Sequence, residues 1–117
     1  MIQPDREDIQ VYEHPSGDGF VKWRRGTADN VELLDIEVSA SARRQGVGRE
    51  LVRGMLRRLR SDPPATSVYG FTRVTNRIAH DFYRALGFDL SYVAGVYEEG
   101  GAVVFSAQYD DLVARHL

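Results

Sequence analysis

A glycine-containing turn between a strand-like segment and an arginine-rich segment is the feature that most limits the fold of this chain. The turn consists of Arg43, Arg44, Gln45, Gly46, Val47 and Gly48. Before it, residues 31–38 read as a strand, and after it residues 45–60 place apolar side chains at helical spacing. A further strand is predicted at residues 67–72. This strand-helix-strand step implies a parallel pair of strands joined by a right-handed crossover.

The remaining segments predict a sheet built around that parallel pair. Strands are expected at residues 9–14, 20–25, 90–97 and 102–109, because turn-forming residues bound these segments, including a hairpin signal at 98–101. A second helix runs from about residue 75 to 86 and ends at Gly87, and residues 110–117 suggest a short closing helix.

The predicted fold class is α/β (α+β), with a mixed, mostly antiparallel sheet in the order β-β-β-α-β-α-β-β. The parallel pair of strands lies at the centre of that order. A length of 117 residues fits one domain spanning residues 1–117, because two cores could not both be filled. Ligands of such sheets sit at the carboxyl ends of parallel strands, so the chemistry is expected after Val38.

Composition argues against several classes of protein. The chain has 15 basic and 17 acidic side chains and a net charge of -2, whereas general nucleic-acid binding needs a net basic surface. No apolar run approaches the roughly 20 residues that span a bilayer, and residues 3–8 are polar where a signal peptide would be apolar, so a cytoplasmic protein is expected. Cysteine is absent, which excludes a disulfide framework, a thiolate nucleophile and a zinc-thiolate site. No metal ligands are assigned.

The turn at residues 43–48 has the chemistry of an anion site. Its two glycines let the backbone approach a ligand closely, and the first turn of the following helix offers unpaired N–H groups and a partial positive charge. Arg43 and Arg44 add positive charge. The glycine spacing differs from that of the phosphate loop of nucleotide hydrolases and from the dinucleotide-binding turn. Taken alone, the segment is equally well explained as a helix start with solvated arginines.

A second motif makes the turn more specific. The step from Val38 to Arg43, followed by Gly46 and Gly48, resembles the acyl-CoA-binding motif of the GNAT superfamily of N-acetyltransferases. After the fourth strand, the segment Asn76-x-x-Ala79-x-x-Phe82-Tyr83-x-x-x-Gly87-Phe88 resembles that superfamily's second motif. The resemblance covers residues 31–109. It implies a GNAT-like acyl-CoA acyltransferase fold, in a short form that lacks most of the usual N-terminal helices.

The resemblance also implies a co-substrate and a use for the turn. Acetyl-CoA, or another short acyl-CoA, would donate its acyl group to a primary amine by direct attack in a ternary complex. The strands at 31–38 and 67–72 would separate at their ends and admit the acyl arm, while backbone amides of residues 45–48 hold the pyrophosphate. The residues expected to contact the cofactor are Ile36, Val38, Arg43, Arg44, Gln45, Gly46, Val47, Gly48, Asn76 and His80.

Tyr83 is the first candidate for a catalytic side chain. The resemblance puts it opposite the sulfur, and a tyrosine with an ordinary pKa of about 10 is a suitable general acid for the leaving thiolate. The competing interpretation is an aromatic side chain that packs in the core. His80 shares a helical stripe with Asn76 and Tyr83, and is a minor candidate because a boundary histidine with its hydrogen bonds satisfied explains it more simply.

The general base for the incoming amine is less well specified. Strand alternation puts Glu32 on the same face as Leu34, Ile36 and Val38, so Glu32 is the predicted catalytic carboxylate, acting through water. Val31, Leu33, Asp35 and Glu37 would occupy the opposite face. Each acidic residue is equally explained as a solvated strand residue, and Asp35, Glu37 or water remain alternatives for the base.

The acceptor and the partners stay open. Acidic residues on the third strand and at 98–99 would attract a cationic small-molecule or peptide amine, although solvated charge explains them as well. Only residues 1–8 precede the first clear strand, whereas the N-terminal helices usual in the family help to wall the acceptor site. Either the domain is a truncated form without that wall, or another subunit of a homodimer supplies it. Two other functions compete: a non-catalytic acyl-CoA-binding regulatory module, and an interaction domain whose arginine helix binds an acidic partner. Tyr83 within its motif favours catalysis.

Overall fold

The structure is a computed structural model that describes residues 9–61, 65–97 and 100–117. In those ranges the chain forms six strands and three α-helices. The strands are β1 (Gln10–Glu13), β2 (Gly19–Arg25), β3 (Asn30–Val38), β4 (Ser67–Arg73), β5 (Asp89–Tyr97) and β6 (Gly100–Gln108). The helices are α1 (Val47–Ser61), α2 (Arg77–Leu86) and α3 (Tyr109–His116), and short 3-10 turns cover Thr27–Asp29 and Ala40–Ala42. The predicted fold class and element order are confirmed.

The strands form one sheet in the order β1-β2-β3-β4-β6-β5. Only β3 and β4 run parallel within the described sheet, and their pairing extends from Asn30 opposite Ser67 to Glu32 opposite Tyr69. Both strands continue beyond these pairs, β3 to Val38 and β4 to residue 73, without pairing to each other. The sheet is therefore split at its centre, and the split opens toward the carboxyl ends of the parallel pair.

The core lies between one face of the sheet and the helices. Apolar residues recur every three or four positions along α1, so one side of that helix is completely buried. Each fully buried leucine or valine contributes roughly 1.5–3 kcal/mol relative to exposure. All three helices join the same buried cluster, which includes Trp23, Val31, Leu33, Leu51, Val52, Met55, Leu56, Leu59, Val68, Tyr83, Leu86, Phe105 and Leu112.

Helix α2 begins and ends at residues with clear capping roles. The Asn76 side chain accepts a hydrogen bond of 3.2 Å from the Ala79 N–H, which explains why the helix starts at Arg77 rather than at residue 75. Gly87 adopts a φ of 102° and ends the helix, and the Phe88 N–H donates to the carbonyl of Tyr83 at 3.0 Å. These caps fix the position of the α2 face that carries Tyr83.

Strand β3 contains a bulge that its alternating sequence does not reveal. Lys22 of β2 lies opposite Asp35, but the next residue, Trp23, lies opposite Leu33. Leu34 is the extra residue and has no partner across this strand pair. Because an inserted residue reverses the alternation of side chains beyond it, the two halves of β3 must be assigned to faces separately.

The bulge overturns the predicted faces of β3. Ile36 and Val38 pack against the same core cluster as Val31 and Leu33, whereas Glu32 lies on the opposite face, across from Arg24. The prediction that groups Glu32 and Leu34 with Ile36 and Val38 is therefore wrong. Glu32, Asp35 and Glu37 share the face that points away from α1.

Three segments that carry sequence signals lie outside the described residues: the polar segment 3–8, residues 62–64, whose two prolines predict the end of the first helix, and the acidic pair at 98–99. Residues 100 and 101, predicted as part of that hairpin turn, belong to β6. Helix α1 ends at Ser61, close to the predicted position. Across the described ranges, every helix is too short or too polar to cross a lipid bilayer.

Candidate active site

A cleft of about 840 Å³ opens where β3 and β4 separate. Residues 34–38 form one wall, residues 71–73 of β4 and the inner side of α2 form the other, and the turn after β3 lies at one end. Nine of the residues predicted for the site line this cleft: Ile36, Val38, Arg43, Arg44, Gly46, Val47, Gly48, Asn76 and Tyr83. The structure thus brings the two sequence motifs together around one space.

The turn at the end of the cleft has an unusual backbone. Gly46 has a φ of 82° and Arg44 a φ of 67°, both in the left-handed region that glycine enters at least cost. The Arg43 Nε donates a hydrogen bond of 3.3 Å to the carbonyl of Val38, which folds its side chain back over the end of β3. The first N–H groups of α1, which begins at Val47, have no partner within the helix and are available to an anion.

Gly48 has a packing role in addition to the one its position in the motif predicts. A Cβ atom added there would lie 2.6 Å from the ring of Phe82 on α2. The absence of a side chain at Gly48 therefore allows α1 and α2 to approach each other closely. Both Gly48 and Phe82 line the cleft. The requirement for glycine at this position comes from helix packing as well as from any ligand.

Tyr83 belongs to both the core and the cleft. The side chain is 5% exposed, its ring stacks on Phe105 with centroids 3.7 Å apart, and Phe82 and Phe88 meet it edge-on. Burial raises the pKa of the Tyr83 hydroxyl above its ordinary value, and the carboxylate of Asp35 raises it further. The hydroxyl therefore stays protonated at neutral pH and is a hydrogen-bond donor.

The carboxylates of β3 differ in their surroundings. Glu32 accepts two hydrogen bonds from the guanidinium of Arg24, at 3.2 and 3.0 Å, and it does not line the cleft. Asp35 and Glu37 line it, and Asp35 acts electrostatically on Tyr83. Of the candidate bases, Asp35 and Glu37 thus lie at the cleft and Glu32 does not. Among the described residues, no group of three His, Cys, Asp or Glu side chains is arranged to hold a metal ion.

Two residues predicted to contact the cofactor lie outside the lining of the cleft. The His80 ring is 9% exposed, and its Nε2 donates to the carbonyl of Arg73 at 3.1 Å. His80 therefore matches the simpler interpretation, a boundary histidine with its hydrogen bond satisfied. The Gln45 side chain donates to the carbonyl of Ser41 at 3.2 Å and is exposed.

The cleft also includes residues that the sequence did not single out as site residues. Ile78 of α2 is 84% exposed and lines the cleft. Phe71 is 39% exposed in the same lining. No pattern in the sequence marks Thr72, which lines the cleft beside it.

The chain matches one protein family and many solved structures of similar fold. The model of the acetyltransferase (GNAT) family matches residues 11–88. A comparison with curated proteins finds no match. Among solved structures, nourseothricin acetyltransferase is 25% identical with a TM-score of 0.72, and the aligned region covers 92% of this chain and 69% of that protein.

Two proteins from Thermoplasma species share the same fold. Ard1 from Thermoplasma volcanium is 25% identical over 87% of this chain and 70% of its own, with a TM-score of 0.70. The PaiA N-acetyltransferase from Thermoplasma acidophilum, whose structure contains coenzyme A, is 16% identical over 87% of this chain and 62% of its own, with a TM-score of 0.72. The family match covers well over half of the chain and includes both cleft-lining motifs. The chain therefore belongs to the acetyltransferase (GNAT) family.

Proposed function

We propose that this protein transfers an acetyl group from acetyl-CoA to a primary amine by direct attack within a ternary complex. The observation that carries the proposal is the pairing of Tyr83 and Asp35 in one cleft, at the split between β3 and β4. A glycine turn flanked by arginines lies at the end of the same cleft. Acetyl-CoA fits as the co-substrate, because family members of this fold have been crystallised with coenzyme A or acetyl-CoA.

The end of the cleft formed by the turn at residues 43–48 suits the nucleotide part of coenzyme A. Arg43 and Arg44 supply positive charge beside the open N–H groups of α1, and helix N-termini bind phosphate. A guanidinium has five N–H donors, so Arg43 is able to contact a phosphate while its Nε stays bonded to Val38. The pantetheine arm would lie in the split, where the backbone of β3 beyond Glu32 does not pair with β4.

The proposed chemistry uses the two walls of the cleft. The amine nitrogen attacks the thioester carbonyl carbon, the resulting intermediate expels the thiolate, and the nitrogen loses a proton. Asp35 is the carboxylate able to take that proton. Because the pKa of Tyr83 is raised, its hydroxyl is better suited to donate a hydrogen bond to the departing sulfur than to ionise. Solvent then supplies the proton that completes the thiol.

The carboxylates of the cleft also bear on the acceptor. Asp35 and Glu37 give this region negative charge, and such charge attracts a cationic ligand. The proposed acceptor is therefore a primary amine that carries further positive charge, either a small molecule or the side chain of a peptide.

A cofactor titration followed by a turnover assay tests the proposal. Coenzyme A should bind the protein in calorimetry, and acetyl-CoA should release free thiol when members of a panel of mono- and polyamines are added. Binding of acetyl-CoA without thiol release from any amine would favour a non-catalytic acyl-CoA-binding module. Failure of the protein to bind coenzyme A would contradict both functions.

A further inference from the structure

Thr72 has a buried hydroxyl group with no hydrogen-bond partner. The residue lies on β4 and is 8% exposed, and its Oγ1 atom is enclosed without a partner among the described residues. Buried hydroxyls are normally hydrogen-bonded, because removing one from water without compensation is unfavourable. Valine has nearly the same shape and would avoid this cost. We therefore expect a hydrogen-bond partner of this hydroxyl in a bound ligand.

The polar groups near Thr72 have hydrogen-bond partners. The carbonyl of the next residue, Arg73, accepts hydrogen bonds from the Asn76 N–H at 3.0 Å and from His80 at 3.1 Å. The Asn76 side chain accepts from the Ala79 N–H. One other buried side-chain atom in the described ranges, the Nε of Arg53, also has no partner, but Arg53 does not line the cleft. The unused hydroxyl of Thr72 is thus a local exception at the cleft wall.

The position of Thr72 in the sheet gives it access to a ligand in the split. The last paired residue of β4 is Tyr69, so Thr72 lies three residues beyond it, on the stretch where β4 has separated from β3. Thr72 lines the cleft together with Asp35 and Tyr83, the residues of the proposed reaction. A ligand that enters between the strands passes Thr72.

We propose that the Thr72 hydroxyl completes its hydrogen bonding with the bound acyl-CoA, and that Thr72 is a cofactor-binding residue of this protein. The inference rests on the proposed function. Two groups of an acyl-CoA have the required chemistry: an amide of the pantetheine arm and the thioester carbonyl oxygen. A hydroxyl both donates and accepts, so it is able to bond with either group.

The test replaces the hydroxyl with a methyl group and follows two quantities that move in opposite directions. Thr72→Val should raise the melting temperature of the free protein, because an unpartnered polar group is removed from the interior. The same change should weaken binding of acetyl-CoA about fivefold to tenfold in calorimetry, as expected for the loss of one neutral hydrogen bond. Thr72→Ser keeps the hydroxyl and should bind acetyl-CoA like the wild type, even if the lost methyl group lowers its melting temperature.

Parallel titrations with coenzyme A and acetyl-CoA identify the group that is bound. Equal losses of affinity in Thr72→Val assign the hydrogen bond to the pantetheine arm, and a loss confined to acetyl-CoA assigns it to the thioester. If Thr72→Val bound both ligands as tightly as the wild type, the inference would be overturned. It would also be overturned if Thr72→Ser lost as much affinity as Thr72→Val. Failure of the wild type to bind either ligand would instead count against the proposed function.

Discussion

The carboxylate of Asp35 and the hydroxyl of Tyr83 interact electrostatically across the cleft between β3 and α2. Burial is the larger cause of the raised pKa of Tyr83, and the negative charge of Asp35 acts in the same direction. A negative charge in the opposite wall opposes ionisation of the tyrosine, so it favours the neutral phenol. A neutral phenol is the hydrogen-bond donor that the proposed transfer requires.

Removing the Tyr83 hydroxyl is expected to slow turnover while leaving the fold intact. Tyr83→Phe should lower kcat about tenfold to 100-fold, the range expected for a hydrogen bond to a charged group. Its KM for acetyl-CoA should change little, because phenylalanine keeps the stacking on Phe105. Thiol release under saturating substrates measures the effect. Tyr92→Phe is the matched control, since Tyr92 is 64% exposed and lies outside the cleft lining. An unchanged kcat in Tyr83→Phe would remove the tyrosine from the mechanism.

Two carboxylate variants distinguish the bases on β3. Asp35→Asn should reduce kcat/KM for the amine by about 100-fold, the lower end of the range for general-base catalysis. Glu32→Gln should retain activity, because Glu32 pairs with Arg24 away from the cleft, and its loss should cost at most about 1 kcal/mol of stability. Rates of thiol release between pH 6 and 9 provide the measurement. The opposite pattern, with Glu32→Gln inactive and Asp35→Asn active, would restore the assignment made from strand alternation.

The arginines of the turn should act on the phosphates rather than on the thioester. Arg44→Ala is expected to weaken coenzyme A binding about fivefold to tenfold, with a smaller dependence on salt than the wild type shows. S-acetyl-pantetheine, which lacks the nucleotide, should be used equally well by both proteins. Arg57→Ala serves as the control, because Arg57 is exposed on α1 and does not line the cleft. A similar loss of affinity in both variants would point to the overall charge of the protein instead of the turn.

His116 should make the stability of the fold depend on pH. Burial lowers the pKa of His116. The hydrogen bond from its Nε2 to the carbonyl of Leu86 acts in the opposite direction, and the positive charges of Arg49, Arg115 and Arg53 lower the pKa further. The unfolded chain therefore binds a proton more readily than the folded protein, so stability should fall as the pH drops below about 6.5.

Urea denaturation at pH 7.5 and 5.5 measures this dependence. The midpoint should fall less between the two values in His116→Gln, which lacks the titrating ring, than in the wild type. Equal decreases in the two proteins would show that other groups cause the effect of acid.

Gly48→Ala should disturb the contact between α1 and α2. The added methyl group would lie 2.6 Å from the Phe82 ring, and overpacking of this kind costs about 1–3 kcal/mol. Phe82→Leu in the same chain should restore part of the loss, because the smaller side chain frees space. Melting temperatures of the single and double variants test this coupling. Additive effects in the double variant would mean that the glycine is required for another reason.

The sequence predicts the elements of this fold well because their signals are local. Helical spacing locates α1, Gly87 ends α2, and turn residues separate the strands of the meander. The face of Glu32 could not be predicted in the same way. Its assignment depends on the extra residue Leu34, and the bulge becomes visible only in the pairing of β3 with β2.

The candidate site was predictable only in part, for a related reason. The turn at 43–48 and Tyr83 belong to recognisable motifs, whereas Thr72 and Phe71 enter the cleft through the separation of two strands. Which side chains border the split depends on where pairing stops, at Glu32 and Tyr69, and no local pattern encodes that point. The homodimer, the cytoplasmic location and the single-domain organisation remain predictions.

The early end of pairing between β3 and β4 gives this sheet two additional edges inside the molecule. Exposed strand edges are normally a hazard, because their unpaired peptide groups recruit strands of other molecules and promote aggregation. Here the edges face each other across a gap covered on one side by helices, so a neighbouring sheet has little room to dock against them. The gap is wide enough only for a single narrow, extended ligand, whose amide groups would bond to the unpaired peptide groups. The gap between the two strands thus keeps these inner edges from pairing with copies of the protein.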